Sequence, residues 1–479
     1  MNKTASFYLL TDCHYVSKTC WEDGEPITRR ERGDQIVLKL SPEILDSFID
    51  KIIADKETDT VLFLGDNVNS GDMNSHYEFR ERLQKLADAG KKVYVTVATH
   101  DYCSPNGEDE CFQKGAVRYT ATGTEPIPFM LRSGLNEFYN DFGPKQALSI
   151  DPESGSYVVK IGDNLRLVAI IDNGNGRSHC GLFEEGIKWL SAQIDEAKAA
   201  GDYVLLAVHH PVIPPWEVYR HMADFEVYGG YRQLSELMCE KNVRAVFTGH
   251  THVQNIREFT GRNGNRFYDI ATISLVNAAG KMRKVIVDDG GKCTVESIGL
   301  DSINGVDTCG KSVFDYLYSI NFTGLLESAL PYVDSDYDKF LEMTEGFLPT
   351  DKLKKHKGLV RFAVNKIQKL KLSTLARFGK TKKMLSKEQY AESKNKKAFD
   401  GVLVVLSHIF RGNAPYTPET AENIVFGGVA KRLDRIVAKF RIEALQKVIP
   451  PGSSLYEMLQ DFLYNNRTGD DDFIEFDLK

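Results

Sequence analysis

Through the first 290 residues, short apolar, β-branched runs alternate with longer stretches whose apolar positions recur at helical spacing. The runs SFYLLT (6–11), TVLFLG (60–65), VYVTVA (93–98), RLVAII (166–171), YVLLAV (203–208), VRAVFT (243–248) and RFYDIA (266–271) read as strands. Stretches near 41–55, 75–89, 183–199 and 230–241 carry the helical period. This rhythm predicts a mostly buried sheet with helices outside it. The later pieces KVIVDD and KCTVES, around a Gly-Gly pair, predict a hairpin and a second or mixed sheet that closes the unit. Residues 102–150 form an insert after a strand tip, of the length that builds pocket walls or lids. Beyond about residue 313 strand signals fade and lysine-rich helical patterns take over. The expected division is therefore one domain over 1–305 and a helical, partly basic unit of unknown role over 306–479.

Charge sharpens that division. Residues 351–450 hold 23 Lys and Arg against 8 Asp and Glu, a local balance of +15, which leaves −22 on the rest of a chain whose formal total is −7. The total argues against a protein that coats nucleic acid over its whole surface. The basic block suits nucleic acid, an anionic membrane surface or a long anionic substrate, and equally a solvated helical face. Eight cysteines without a CxxC pair fit reduced thiols in a cytoplasmic protein. The opening MNKTASFYLLTD lacks the pattern of a signal peptide. No apolar run approaches the ~18 residues of a transmembrane helix.

The chemistry lies where the predicted strands end. The first delivers Asp12 and His14, the second Asp66, the third Thr99, His100 and Asp101; YVLLAV ends in His209 and His210, and VRAVFT in His250 and His252. Six of the eleven histidines occupy these five tips, the ends at which α/β sheets carry their ligand sites. Imidazole and carboxylate donors without cysteine suit Zn, Mn or Fe. In D-x-H and H-x-H on extended chain, residues two apart face one side and reach one site. There are too many donors for one ion; two ions sharing a carboxylate use them all. Two metals ~3.5–4 Å apart form a clamp for in-line attack at phosphorus.

The ordered series DCH, GDN, THD, HHP and GHTH resembles the calcineurin-like metallophosphoesterase superfamily over roughly residues 5–300, and GLFEEGIKWL (181–190) resembles the helix before its fourth motif. The resemblance implies an α/β/β/α sandwich, here followed by an additional α-helical C-terminal domain. It implies two divalent or trivalent ions (Mn, Fe or Zn), with Asp12, His14, Asp66 and His252 holding one. Asp66 bridges to the second, which His209 and His250 also bind. His100 corresponds to the histidine that contacts the phosphate and protonates the leaving oxygen, and Asp101 is expected to orient it. The expected reaction is hydrolysis of a phosphomonoester or phosphodiester by metal-bound hydroxide with His100 assisting. His210 has no implied ligand role and reads as a histidine bonded to backbone. One position departs from the pattern: Ala98 and Thr99 stand where the family writes Gly and Asn, so Thr99 replaces an amide ligand of the second metal. That departure supports the alternative of a non-catalytic metal-binding scaffold, and the basic C-terminal block supports a nuclease. GVDTCGKS (305–312) fits a phosphate-loop pattern, but Asp307 sets a carboxylate where phosphate belongs, so a domain linker is expected. DSDYDKFLEMTE (334–345) has calcium-loop spacing with Lys339 at the turn that needs glycine, so an acidic helix start is expected.

Overall fold

Alternation within single strands decides the architecture. Phe7 and Leu9 face one core and Tyr8 and Leu10 another, so the strand that carries them is covered on both sides. The computed structural model describes residues 3–106, 113–172, 180–215, 227–320, 322–345, 350–412, 417–440, 454–463 and 470–479. Its strands are β1 Lys3–Leu10, β2 Thr60–Leu64, β3 Lys92–Thr96, β4 Ala116–Tyr119, β5 Thr124–Ile127, β6 Ser149–Ile150, β7 Tyr157–Ile161, β8 Leu165–Ile170, β9 Tyr203–Val208, β10 Ala245–Thr248, β11 Asn255–Thr260, β12 Arg266–Ala271, β13 Met282–Asp288, β14 Lys292–Ile298 and β15 Phe473–Asp477. One sheet runs β15-β14-β13-β1-β2-β3 and the other β11-β12-β10-β9-β8-β7-β6, while β4 and β5 pair separately.

The two sheets bury a common core, with Phe7, Leu9, Leu62 and Leu64 from the first against Leu167, Leu205, Ala207 and Phe247 from the second. Phe7 and Phe247 meet edge to face, their centroids 5.7 Å apart. Outside the first sheet, Tyr8, Leu10, Val61, Phe63 and Val95 pack under helices Ser41–Ala54 and Met73–Asp88. Outside the second, Val168, Ile170, Leu206 and Val246 pack under Glu184–Ala199 and Tyr231–Glu240. Each fully buried Leu or Phe stabilises this arrangement by about 1.5–3 kcal/mol. The result is the expected α/β/β/α sandwich followed by a largely helical segment. The pairs β1/β2 and β2/β3 are parallel, as are β8/β9, β9/β10 and β10/β12. Parallel pairing gathers the C-terminal ends of the motif-bearing strands at one rim.

Residues 473–477, read from the sequence as part of the helical segment, form β15 and pair antiparallel with β14. The reason is long-range: β14 offers an open edge, and the fully buried Arg283 of β13 donates to the Asp471 carbonyl, anchoring the returning chain. Residues 102–150 are not structureless; they carry the β4/β5 hairpin and the helix Arg132–Phe138. Around GVDTCGKS, Asp307 accepts from the Cys309 amide at 2.8 Å, so its own carboxylate fills the turn. Asp336 caps the helix Tyr337–Thr344 by accepting from the Lys339 amide, the acidic helix start expected there. Among the described residues no helix is long and apolar enough to cross a membrane.

Candidate metal centre

The strand tips leave the sheets in left-handed backbone. Asp12, His14, Asp66, His250 and His252 have φ of 51°, 39°, 49°, 67° and 55°. Residues with a Cβ populate this region sparsely, at a cost of roughly 1–3 kcal/mol each. Five of the nine positive-φ residues other than glycine in the described chain are thus expected ligands. Neighbouring glycines permit the close approach. A Cβ on Gly65 would lie 2.8 Å from His209 Nδ1, and one on Gly249 would lie 2.5 Å from Asp12 Oδ2. The glycines of GDN and GHTH are therefore steric requirements of the centre.

Two groups of donors result, Asp12 with His14 and His252, and Asp66 with His209 and His250, each with its ligand atoms within 4.8 Å of one another. His209 Nε2 joins them, 3.1 Å from Asp66 Oδ2 and 3.8 Å from Asp12 Oδ1. His209 Nδ1 donates to the Leu64 carbonyl at 2.9 Å, which turns Nε2 inward. Asp12 Oδ2 accepts from Thr11 Oγ1 and the His250 amide, which turns Oδ1 inward. Asp12 Oδ1 and His209 Nε2 are buried with no hydrogen-bond partner, a costly condition for polar atoms that ligate nothing. His14 Nε2 and His252 Nε2 lie 2.9 Å apart, so a proton or a cation belongs between the two rings. These orphaned, converging donors fit metal ions.

Electrostatics agrees. Burial disfavours the ionised Asp12, yet the His209 and His252 rings outweigh it and hold the carboxyl well below the usual range. Asp66 is likewise held low against its burial, mainly by His209 and His100. Burial pulls His209 down, but the Asp66 and Asp12 carboxylates push it up to about 9. Burial and the neighbouring His100 and His252 push His14 well down, towards the neutral form that ligates.

The Thr99 hydroxyl lies 3.5 Å from Asp66 Oδ1, against the second group. The His100 amide donates to the same oxygen at 2.9 Å. The His100 ring lies 4.6 Å from the His14 ring, and its Nδ1 donates to the Asn69 carbonyl at 2.6 Å. A carbonyl only accepts, so Nδ1 carries the proton and Nε2 is the exchangeable site.

Asp101 corrects the sequence reading. Its carboxylate does not orient His100; it accepts from the amides of Asn67 (2.8 Å), Val68 (3.0 Å) and Ala98 (2.8 Å) and from Asn67 Nδ2 (3.2 Å). It therefore ties the GDN loop to the THD loop from beneath. Burial and the nearby Asp66 charge push its carboxyl up to about 7. His210 is corrected too: its Nδ1 meets the Asp172 carboxylate at 2.7 Å rather than backbone.

Three contributors escaped the sequence reading. Asp172 lies two residues past the end of β8, a sixth strand tip with a potential ligand group, which was the available signal. Asp269 interrupts the apolar β12 and accepts from the amides of Val212 and Ile213 and from Thr248 Oγ1, so it fixes the chain after HHP and before GHTH. A carboxylate inside a buried strand is itself a signal. The Asn69 carbonyl leaves no trace in side-chain identity. In the insert, Gln113 Nε2 donates to the Thr99 and Tyr102 carbonyls, bracing the THD loop. Arg118, in the same insert, is tied to Glu22 and Glu125.

The sequence profile of calcineurin-like phosphoesterases matches residues 5–254. No curated protein sequence matches the chain. Among solved structures, a dimetal phosphatase from Danio rerio is 13% identical with a TM-score of 0.44, covering 62% of this chain and 97% of its own. A purple acid phosphatase from yellow lupin is 13% identical with a TM-score of 0.38, over 61% of this chain and 51% of its own. A 5'-nucleotidase precursor from Thermus thermophilus is 11% identical with a TM-score of 0.30, over 62% of this chain and 51% of its own. Because the profile runs from the first strand past the GHTH loop, over more than half of its length, the chain belongs to the calcineurin-like phosphoesterase family, metal-dependent hydrolases of phosphate esters.

Proposed function

We propose that this protein hydrolyses a phosphate monoester or diester at a dinuclear centre of Mn, Fe or Zn ions. In this reading Asp12, His14 and His252 hold one ion, His209 and His250 hold the other, and Asp66 is shared. The supporting observation is the convergence of two buried donor groups whose inward atoms, Asp12 Oδ1 and His209 Nε2, face one another's group without a hydrogen-bond partner. When bound, such a pair of ions supplies Lewis-acid stabilisation of the phosphoryl oxygens and activates water at neutral pH. The chain's own groups do the rest. His100, braced by the Asn69 carbonyl, contacts the phosphate and holds at Nε2 the proton that the leaving oxygen takes. Asp101 and Asp269 are positioning residues that keep the loops rigid, the preorganisation on which electrostatic catalysis depends.

His100→Ala is expected to lower kcat on p-nitrophenyl phosphate by about 10²–10⁴-fold, the usual range for a general acid. Metal content, read by mass spectrometry on the same sample, stays that of the parent. Unchanged turnover would remove His100 from the reaction.

Thr99 is the point of departure from the family pattern and the reason a scaffold reading exists. Thr99→Asn is expected to tighten the second ion, raising metal content under mild chelation and raising turnover at limiting metal. Two ions per chain with turnover in the unaltered protein support the enzyme reading. One ion and no turnover, both repaired by Thr99→Asn, would make this chain a disabled relative. Assay of p-nitrophenyl phosphate beside its bis ester separates monoesterase from diesterase.

A further inference from the structure

A second concentration of charge lies in the helical segment, away from the metal centre. Where the turn after helix Leu372–Phe378 crosses helix Ala421–Phe440 there is a cleft of about 480 Å³. Five of its eight described lining residues are Lys or Arg and none of the eight is acidic. None of the eight belongs to either metal-ligand group.

Backbone contact builds the cleft. A Cβ on Gly379 would lie 2.8 Å from the Gly428 carbonyl carbon, and one on Gly428 would lie 2.9 Å from the Gly379 oxygen. Only two glycines allow turn and helix to meet this closely. Lys380 follows in left-handed backbone, φ 60°, and lines the cleft with Lys431, Arg432 and Arg435. Arg432 is held in place: its Nη1 donates to the Phe378 carbonyl at 2.5 Å, and its guanidinium lies 4.3 Å from the Phe378 ring centroid. One face of the guanidinium is thus fixed while other N–H donors stay available, a preorganised oxyanion receptor.

Four of these charges have no counterion among the described residues. No carboxylate lies within 4.0 Å of Lys380, Lys431, Arg432 or Arg435 among the described residues. Elsewhere in the same segment Lys396 pairs with Glu422 and Arg361 with Asp334. Asp434, on the same helix, accepts from the Tyr456 amide. Lys431 and Arg435 stand four residues apart, a like-charge spacing that weakens a helix when nothing neutralises it.

We propose that this cleft is an anion site for a compact group bearing two or more phosphates. Arginine forks and lysine point charges in a concave surface are the donor set for phosphate oxygens. The size suits a diphosphate-class group, whereas duplex nucleic acid needs an extended interface of about 1,000 Å² or more. The group reaches the protein either as a soluble anion or as a lipid headgroup, and the half-exposed Phe378 and Leu433 next to the cations make the second source worth a separate arm.

The test uses the full-length chain and methylenediphosphonate, which resists hydrolysis, followed by calorimetry. Asp66→Asn silences the metal centre and leaves the cleft intact, so this background is expected to bind one diphosphonate per chain, more weakly as salt rises. Adding Lys431→Gln and Arg435→Gln, which spares the Arg432–Phe378 packing, is expected to weaken binding at least about tenfold through lost charge-assisted contacts. Arg435→Lys should largely restore it, and Arg435→Gln in the otherwise unaltered chain should leave p-nitrophenyl phosphate hydrolysis unchanged. Phosphatidylcholine vesicles with and without phosphatidylinositol bisphosphate separate the sources. Capture that diphosphonate reverses assigns the site to a lipid headgroup; diphosphonate binding without capture assigns it to a soluble anion. No diphosphonate binding in the Asp66→Asn chain, or equal affinity in the glutamine variants, overturns the proposal.

Discussion

Asp66→Asn is expected to lower kcat by at least about three orders of magnitude, some 4 kcal/mol of transition-state stabilisation, and to strip metal from the protein. The change keeps the shape of the side chain and an oxygen for the His100 amide, which Asp66 Oδ1 accepts at 2.9 Å. What it removes is the charge facing His209 Nε2 at 3.1 Å. A dead enzyme alone does not identify a ligand, so stability is the deciding readout. In chelator the variant loses the buried Asp66–His209 pair, up to about 3–5 kcal/mol, so the metal-dependent part is the extra loss seen only when metal is present. With metal at about one hundred times its dissociation constant, each occupied site stabilises the parent by about 2.7 kcal/mol, and the variant forgoes most of it. Denaturant melts of both proteins, with and without Mn, make the comparison. A variant destabilised equally in both conditions would mark Asp66 as structural.

Asp101→Ala should fail in a different way. The carboxylate gathers four N–H donors, three of them backbone amides on the loops that carry Asp66 and Thr99. Removing it leaves buried donors unpaired, at about 1–3 kcal/mol each and not fully additive, so a loss of about 3–5 kcal/mol is expected. Asp101→Asn keeps the volume but turns an amide N–H₂ towards one set of those donors, and should lose an intermediate amount. Urea midpoints measure this directly. His100→Ala, by contrast, should leave the midpoint nearly unchanged while kcat falls. If Asp101→Ala lowers kcat and leaves stability intact, the clamp reading is wrong and a direct role in catalysis returns.

Much of the centre was legible because its residues occur in order at strand tips, and both strands and tips are local patterns. Period-two alternation marks a strand from its own residues, and Asp or His after it is plain in the text. Hence Asp12, His14, Asp66, His209, His250 and His252 could be named together, and the structure brings them into two adjoining groups. Sequence adjacency misled at Asp101. Its neighbour His100 suggested a pair, but residues 98–101 form a turn closed by the Asp101 amide on the Ala98 carbonyl, and the carboxylate faces the loop after β2 instead.

What the sequence determined alone is the set of elements, the donor chemistry and the charge division along the chain, because each depends on residues close to one another. Tertiary structure decided what needed partners far away. It returned the chain end to the sheet as β15, since an open edge at β14 is invisible to FIEFD itself. It set Asp269 beneath two loops and Asn69's carbonyl behind His100. It also brought Gly379 to Gly428 across 49 positions, forming the cationic cleft. Local sequence codes for backbone preference and side-chain chemistry; only packing of distant segments assigns a buried donor the atom it will bind.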